Sequence, residues 1–126
     1  MLTFNILLLI IMLAARGCMV NIEEFRTIDL RIGKIIEIDD LEGARGPIYR
    51  AKIDLGELGI RNIAMGLKNH YTKEELLNRL VVVVANLDPK KIADFFSEGM
   101  LLAAEENGKI ALLGPDKEIG PGSKVG

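Results

Sequence analysis

Apolar and polar residues alternate strictly along the middle of the chain, and this period of two dictates a sheet. The clearest case is segment 48–55, which places apolar residues on one side and charged residues on the other. The apolar side comprises Tyr49, Ala51, Ile53 and Leu55, and the charged side comprises Arg50, Lys52 and Asp54. Such alternation is typical of a β-strand with one face buried. Short runs of this kind predict a small β-rich domain.

Two neighbouring segments carry related strand signals. Residues 28–39 mix β-branched and polar residues, and Gly33 lies where a long strand would bend around a barrel. Residues 56–59 (GELG) have the length of a hairpin connection. We therefore expect 60–65 to pair antiparallel with 48–55.

Further strands are predicted in the second half of the chain. Residues 80–85 (LVVVVA) are continuously apolar, as expected for a strand buried on both faces. Residues 86–91 read as a turn. Segments 100–105 and 109–113 flank Asn107-Gly108, a strong hairpin signal. The total is about six strands.

Two short helices complete the expected elements. Asn21 is a favourable N-cap for a helical turn within 21–27. Thr72 and Glu75 have the spacing of a capping box, which predicts a helix over 73–77. Three strands, a short helix and then more strands is an order that suits an OB-fold barrel.

We therefore predict an all-β domain, an OB-fold Greek-key barrel with a short inserted helix and a C-terminal extension. A sandwich of two sheets is the alternative. The length of 126 residues fits one domain, which we assign to 19–126. Residues 114–126 hold four glycines and two prolines, so this extension is expected to wrap the barrel or an interface.

Residues 1–18 differ in character from the rest. The apolar run 5–15 is shorter than the roughly 20 residues that a membrane span needs. No basic residue precedes Arg16, so the basic start of a signal peptide is missing. Arg16-Gly17 just before Met19 matches the in-frame translation of a purine-rich ribosome-binding sequence. We predict that 1–18 are a misassigned extension and that the protein starts at Met19; a cleaved, signal-like segment is the alternative.

Residues that could carry catalysis are few. His70 is the only histidine, whereas a hydrolytic triad or a zinc site needs histidine with partners at recognisable spacing. Cys18 is the only cysteine and cannot form an intrachain disulfide, which favours a cytoplasmic protein. The acidic positions 37, 39, 40 and 42 lack the order of a calcium loop. We therefore predict no enzymatic activity, no metal site and no cofactor.

The distribution of charge is more informative than its total. The whole chain carries −2, but segment 44–73 holds six basic and two acidic residues, a local charge of +4. Arg45, Arg50 and Lys52 in this segment are further candidates for RNA binding, and ordinary solvated side chains are the alternative. Phe95 and Phe96 are either core residues or stacking platforms. Because aromatic residues are so few, recognition of a folded RNA by shape is favoured over reading of bases.

Five blocks in a fixed order resemble the tRNA-binding domain family. This family includes stand-alone tRNA-binding proteins, the C-terminal domain or β subunit of methionyl-tRNA synthetases, and CsaA-like proteins. The blocks are 29–33 (DLRIG), 53–57 (IDLGE), Tyr71 with 74–76 (EEL), 86–92 (NLDPKKI) and 97–100 (SEGM). The resemblance implies an OB barrel, a homodimer formed with the C-terminal segments, and binding of tRNA by shape.

The resemblance also implies which side chains contact RNA. These are Lys68, Asn86, Lys90, Lys91, Ser97 and Met100. A structural role is the alternative for three of them, since Asn86 can cap a turn, Ser97 can hold a loop and Met100 can pack in a core. Asp88 and Asp94 depart from the family pattern, and a carboxylate near a phosphate is repulsive.

Two functions from different classes follow. The first is structure-specific tRNA binding, acting alone or as an auxiliary subunit of methionyl-tRNA synthetase. The second is CsaA-like binding of unfolded polypeptides through apolar surface. No membrane partner is expected.

Overall fold

The computed structural model describes residues 17–126. Its centre is a sheet of the strands β1 (Leu30–Asp40), β2 (Tyr49–Asp54), β3 (Ile60–Met65), β4 (Leu80–Val84), β7 (Met100–Leu101) and β10 (Lys124–Val125). The strand order is β3-β2-β1-β4-β7, and β10 joins the sheet by pairing with β1. Two hairpins lie outside it: β5 (Lys90–Ile92) with β6 (Phe95–Ser97), and β8 (Ala103–Glu106) with β9 (Lys109–Leu112).

Strands β1, β2 and β3 form an antiparallel meander, as the alternation predicts. In β2, Tyr49, Ala51 and Ile53 are buried, whereas Arg50 and Lys52 are exposed. A single 3₁₀ turn, Gly56–Leu58, connects β2 to β3. The hairpin and its buried face are therefore confirmed.

Strand β1 is long because it pairs with three other strands along its length. Leu30 and Arg31 pair with β10, residues 30–34 pair with β4, and residues from Lys34 onward pair with β2. The register with β2 shifts between Ile35 and Glu37, and such a bulge increases strand twist. This partner change curls the sheet.

Strand β4 is buried on both faces, as its unbroken apolar run predicts. Val81 and Val83 belong to the main core with Ile35, Ile53 and Ile63. The alternate residues of β4, Val82 and Val84, pack on the other face with Leu30 and Ile32. The second core lies under β10 and Leu102.

The two predicted helices are present. Helix α1 (Ile22–Phe25) begins after Asn21, whose side chain accepts a hydrogen bond from the Glu24 amide. Helix α2 (Lys73–Leu76) has both bonds of the capping box between Thr72 and Glu75. Leu76 is fully buried, so α2 contributes directly to the barrel core.

The segment after β4 differs from the expected turn over 86–91. The turn ends at Pro89, and Lys90 and Lys91 are strand residues that pair with Ser97 and Phe96. The reversal lies at Ala93 and Asp94, where Ala93 has φ of 54°. Alanine seldom adopts this conformation, so nothing in the sequence signalled a hairpin here.

The predicted strand over 100–105 is interrupted at Leu102. Up to Leu101 this segment pairs with β4, and from Ala103 it pairs with β9. Leu102 joins both neighbours, since its amide donates to Val82 O and its carbonyl accepts from Leu113. The described residues 17–126 contain ten strands, whereas about six were expected. The additional strands come from this change of partner, from the β5–β6 hairpin and from β10.

The C-terminal extension wraps the barrel, which was one of its two expected positions. The Gly122 amide donates to Ile32 O, and the Ile32 amide donates to Ser123 O. Arg31 donates to Gly122 O and to Asp29, which also contacts Lys124. The extension is thus fixed to the start of β1.

The all-β fold with an OB-like barrel is confirmed. Across residues 17–126, no helix is both long and apolar enough to cross a membrane. The predicted misassigned extension, 1–18, falls almost wholly on residues 1–16, which lie outside the described residues, and it stays a prediction.

Candidate nucleic-acid interface

The β5–β6 hairpin is anchored to the free edge of β3. The Ala64 amide donates to Ser97 Oγ at 2.9 Å, and Ser97 Oγ donates to Gly99 O at 3.2 Å. The Glu98 amide donates to Asn62 O at 2.7 Å, and Glu98 Oε1 accepts from the Asn62 amide at 2.9 Å. These bonds close the barrel between β3 and β7 and hold the hairpin in one orientation.

The hairpin presents different residues on its two faces. Phe95 and Ser97 face the barrel: Phe95 lines a groove on its surface, and Ser97 is only 7% exposed. Since neighbouring strand residues point to opposite sides, Phe96 and its cross-strand partner Lys91 face outwards. Lys90, Lys91 and Phe96 are all exposed.

Phe95 borders a groove across the outer face of the β1–β2–β3 meander. Arg50 and Lys52 lie there opposite Asp39 and Glu37 in the β1–β2 register. Lys52 Nζ is 3.5 Å from Glu37 Oε2. The groove therefore alternates positive and negative side chains rather than forming a continuous basic face.

The loop side of this groove is acidic. Asp39, Asp40, Glu42 and Asp94 line it together with Arg50 and Lys73. Lys68 Nζ lies 2.9 Å from Asp40 Oδ1, and Lys73 Nζ lies 3.4 Å from Asp40 Oδ2. The hydrogen bond from Lys68 holds the pKa of Asp40 below its ordinary value. Lys68 is thus engaged with a carboxylate in the unbound protein.

Two predicted contact residues make hydrogen bonds within the protein. The Asn86 side chain accepts from the Asp29 amide at 2.8 Å and donates to Thr27 O at 2.6 Å. Ser97 joins β6 to β3 as described above. Asn86 and Ser97 therefore both have the structural role that was the alternative to RNA binding. Their contacts with RNA stay predictions.

The structure places only some of the remaining predicted RNA-binding residues close to one another. Lys90, Lys91 and Ser97 share the hairpin, while Met100 pairs with Val84 at its base and is 48% exposed. Arg45 is exposed in the β1–β2 loop, whose Gly43 approaches Ala93 at the hairpin tip. Lys68 lies apart from this group, near Tyr49 and Tyr71.

Counting basic residues overestimated the charge available to RNA. Arg61 contributes to the local +4, but its guanidinium donates to Ala85 O at 2.8 Å and to Glu98 O at 3.3 Å. Lys52, Lys68 and Lys73 are ion-paired. Lys90 and Lys91, by contrast, form no ion pair with any described residue.

No local feature of the sequence indicates whether the Phe96 side chain lies in the core or at the surface. Only the pairing of β5 with β6 places this side chain outwards beside Lys91.

His70 is exposed in the loop before α2. Within residues 17–126, no group of three or more His, Cys, Asp or Glu side chains could hold a metal ion.

Comparison with known proteins places this chain in a family. The chain matches the tRNA binding domain over residues 30–124. The methionine–tRNA ligase of Pyrococcus furiosus is 56% identical over 106 residues, which are 84% of this chain and 14% of the ligase. That of Methanococcus vannielii is 44% identical over 107 residues, 85% of this chain and 16% of the ligase. The chain thus spans only a small part of these relatives.

Solved structures support the same relationship. The CsaA chaperone protein from Picrophilus torridus has a TM-score of 0.80 and 38% identity, covering 86% of this chain and 100% of that one. A methionyl-tRNA synthetase related protein from Pyrococcus horikoshii has a TM-score of 0.78 and 27% identity, covering 85% and 97%. With the domain match over most of its length, the chain belongs to the tRNA-binding domain family.

Proposed function

We propose that this protein binds tRNA by its shape and phosphate backbone, with the β5–β6 hairpin as the main contact. The observation that carries the proposal is the pair Lys90 and Lys91, which are exposed and form no ion pair with any described residue, on a hairpin fixed within a tRNA-binding domain. Lysines without a carboxylate partner can neutralise phosphates without first breaking an ion pair.

The rigid anchoring of the hairpin supports this role. Ser97 and Glu98 fix it to β3 through three hydrogen bonds. A surface already held in its binding geometry loses less conformational freedom when it binds. In this proposal Ser97 acts by positioning Lys90 and Lys91, and phosphate contacts orient the RNA without reading its sequence.

The finer parts of the proposal concern partners. The sequence similarity to methionine–tRNA ligases supports an auxiliary role beside methionyl-tRNA synthetase, in which this chain adds tRNA affinity and no catalytic group. We also propose a homodimer and a cytoplasmic location, where tRNA is used.

Binding of unfolded polypeptides is the second candidate. The structural similarity to the CsaA chaperone protein favours it. Exposed apolar side chains such as Leu87, Phe96 and Met100 could supply the contact. Lys90 and Lys91, which form no ion pair with the described residues, and the charged groove have no evident use in that function, so tRNA binding is preferred.

A salt titration separates the two functions. Phosphate binding releases counterions, so tRNA affinity should fall steeply and linearly on a log–log plot as salt rises. Apolar peptide binding should hold or strengthen with a salt such as sulfate. The measurement is the affinity of the purified protein for tRNA and for a reduced, unfolded polypeptide over one salt series. Salt-insensitive tRNA binding, or peptide binding alone, would contradict the proposed function.

A further inference from the structure

Phe96 is an aromatic side chain that the fold holds at the surface. It is 58% exposed, although the adjacent Phe95 is partly buried against the barrel groove. It belongs to neither of the two apolar cores. The ring therefore contributes little to packing, and its outward position needs another explanation.

Lys91 stands directly across the hairpin from Phe96. Residues opposite each other in an antiparallel pair share one face, with Cβ atoms about 4.5–5.5 Å apart. Lys91 is exposed and makes no ion pair with the described residues. The outward face of the hairpin thus combines an aromatic ring with an ammonium group that pairs with no described carboxylate.

We propose that Phe96 and Lys91 form a binding site for an unpaired nucleotide, with its base stacked on the Phe96 ring and its phosphate beside Lys91. The inference rests on the proposed tRNA function and adds a requirement to it. Recognition of a duplex by shape needs no contact with a base, whereas stacking needs a nucleotide outside a helix. Because every base has a π-face, the site accepts any sequence.

The chemistry of the site favours a nucleotide over an apolar peptide. A nucleotide couples a flat aromatic group to a negative charge, and the hairpin offers the matching ring and cation on one face. An apolar peptide would use the ring and leave the ammonium unpaired. The anchoring of Ser97 and Glu98 to β3 keeps the ring in place before binding.

The natural chain contains no tryptophan, so Phe96→Trp introduces one indole whose emission reports on this site alone. The probes are a blunt RNA duplex and the same duplex carrying a single-stranded overhang. We expect the overhang duplex to quench the emission and the blunt duplex to leave it unchanged. Ile119→Trp, at a 45% exposed position of the C-terminal extension, is the control and should respond to neither RNA.

Affinity supplies the second measurement. Phe96→Leu keeps an apolar side chain but removes the ring, so affinity for the overhang duplex should fall by roughly 5- to 150-fold, the effect of one stacked base. Affinity for the blunt duplex should not change. Equal losses for both RNAs, equal quenching by both, or a loss confined to unfolded polypeptide would overturn the stacking site.

The two proposals fail in different ways. If the wild-type protein does not bind tRNA in a salt-dependent manner, the proposed function itself is wrong. If the wild-type protein binds both duplexes and Phe96→Leu binds both as tightly, only the stacking site is wrong.

Discussion

Gly33 occupies a position in β1 where the barrel leaves no room for a side chain. A Cβ atom there would lie 2.6 Å from Ile53 Cγ2 and 3.0 Å from both Leu55 Cδ2 and Val83 Cγ2. Ile53, Leu55 and Val83 are fully buried core residues, so they have little freedom to move away. The sequence located this glycine at a bend, and the structure adds the reason that the opposing strands approach it closely.

We expect Gly33→Ala to reduce the free energy of unfolding by about 1–3 kcal/mol, the usual cost of overpacking a core. The change in the free energy of unfolding can be measured by urea titration, with circular dichroism as the signal. Gly66→Ala is the matched control, because a Cβ at Gly66 meets no atom of the described residues within 4 Å and its φ is not positive. Similar midpoints for both variants would contradict the steric explanation.

The lysines of the hairpin can be tested through the salt dependence of tRNA binding. Each phosphate contact contributes about 0.7–0.9 to the slope of log affinity against log salt, so replacing Lys90 and Lys91 with Ala should make it shallower by roughly 1.5. Stability should change by no more than about 0.5 kcal/mol, because both side chains are exposed. Lys109→Ala with Lys117→Ala removes the same charge from exposed positions on other elements.

An unaltered slope in the folded double variant of Lys90 and Lys91 would exclude the hairpin as the phosphate site. The converse change is Asp88→Lys, at an exposed position just before β5. Removing a negative charge beside the RNA backbone should strengthen tRNA binding at low salt, and the gain should shrink as salt screens it.

At the scale of elements, α2 is short enough for one cap to decide its start. Thr72 Oγ1 accepts from the Glu75 amide at 3.2 Å, and Glu75 Oε1 accepts from the Thr72 amide at 2.9 Å. Thr72→Ala should lower the free energy of unfolding by about 1 kcal/mol, the usual effect of losing such a cap. Thermal unfolding measures it, with Thr72→Ser, which keeps the capping hydroxyl, as the control. An unchanged midpoint would mean that the cap contributes nothing to stability.

The attachment of the C-terminal extension should depend on pH through Asp29. The hydrogen bond from Arg31 holds the pKa of Asp29 below its ordinary value, and Lys124 adds to the effect. A carboxyl with a lowered pKa in the folded state stabilises that state above its unfolded pKa, about pH 4. The stabilisation should therefore be complete at neutral pH and disappear as the pH falls through the lowered value.

Asp29→Asn should remove the contribution of this carboxylate to the attachment at every pH. We expect faster hydrogen exchange at the Gly122 amide, which donates to Ile32 O, when both proteins are compared at neutral pH. Asp116→Asn changes the same charge in the extension at a residue with no ion pair among the described residues. Equal protection of Gly122 in all three proteins would contradict the role of Asp29.

For the whole molecule, local signals in the sequence were sufficient for the barrel but not for the site. The alternation around Ile53, the capping box at Thr72 and the Asn107-Gly108 turn each act over a few residues, so they are readable without the fold. The β5–β6 hairpin reverses at Ala93, which carries no turn signal, and Lys68 meets Asp40 only because the strands bring them together. Charge pairing and outward orientation depend on such distant contacts.

The fold also suggests where two copies of the whole molecule would associate. Ile22, Phe25 and Ile28 line an apolar cleft with Val125 of β10, so both ends of residues 17–126 meet there. Exposed apolar surface of this kind marks association sites. Because the family resemblance implies a homodimer that uses C-terminal segments, we predict that two copies meet at this cleft.

Light scattering of the purified protein at micromolar concentration should give the mass of a dimer. Phe25→Asp places a charge in the cleft, and a buried unpaired charge is costly, so this variant should be monomeric. Leu58→Asp is the matched control, because Leu58 is as exposed as Phe25, at 38%, but lies in the turn between β2 and β3. A monomeric wild-type protein would contradict the dimer, whereas a dimeric Phe25→Asp variant would show that the copies meet at another surface.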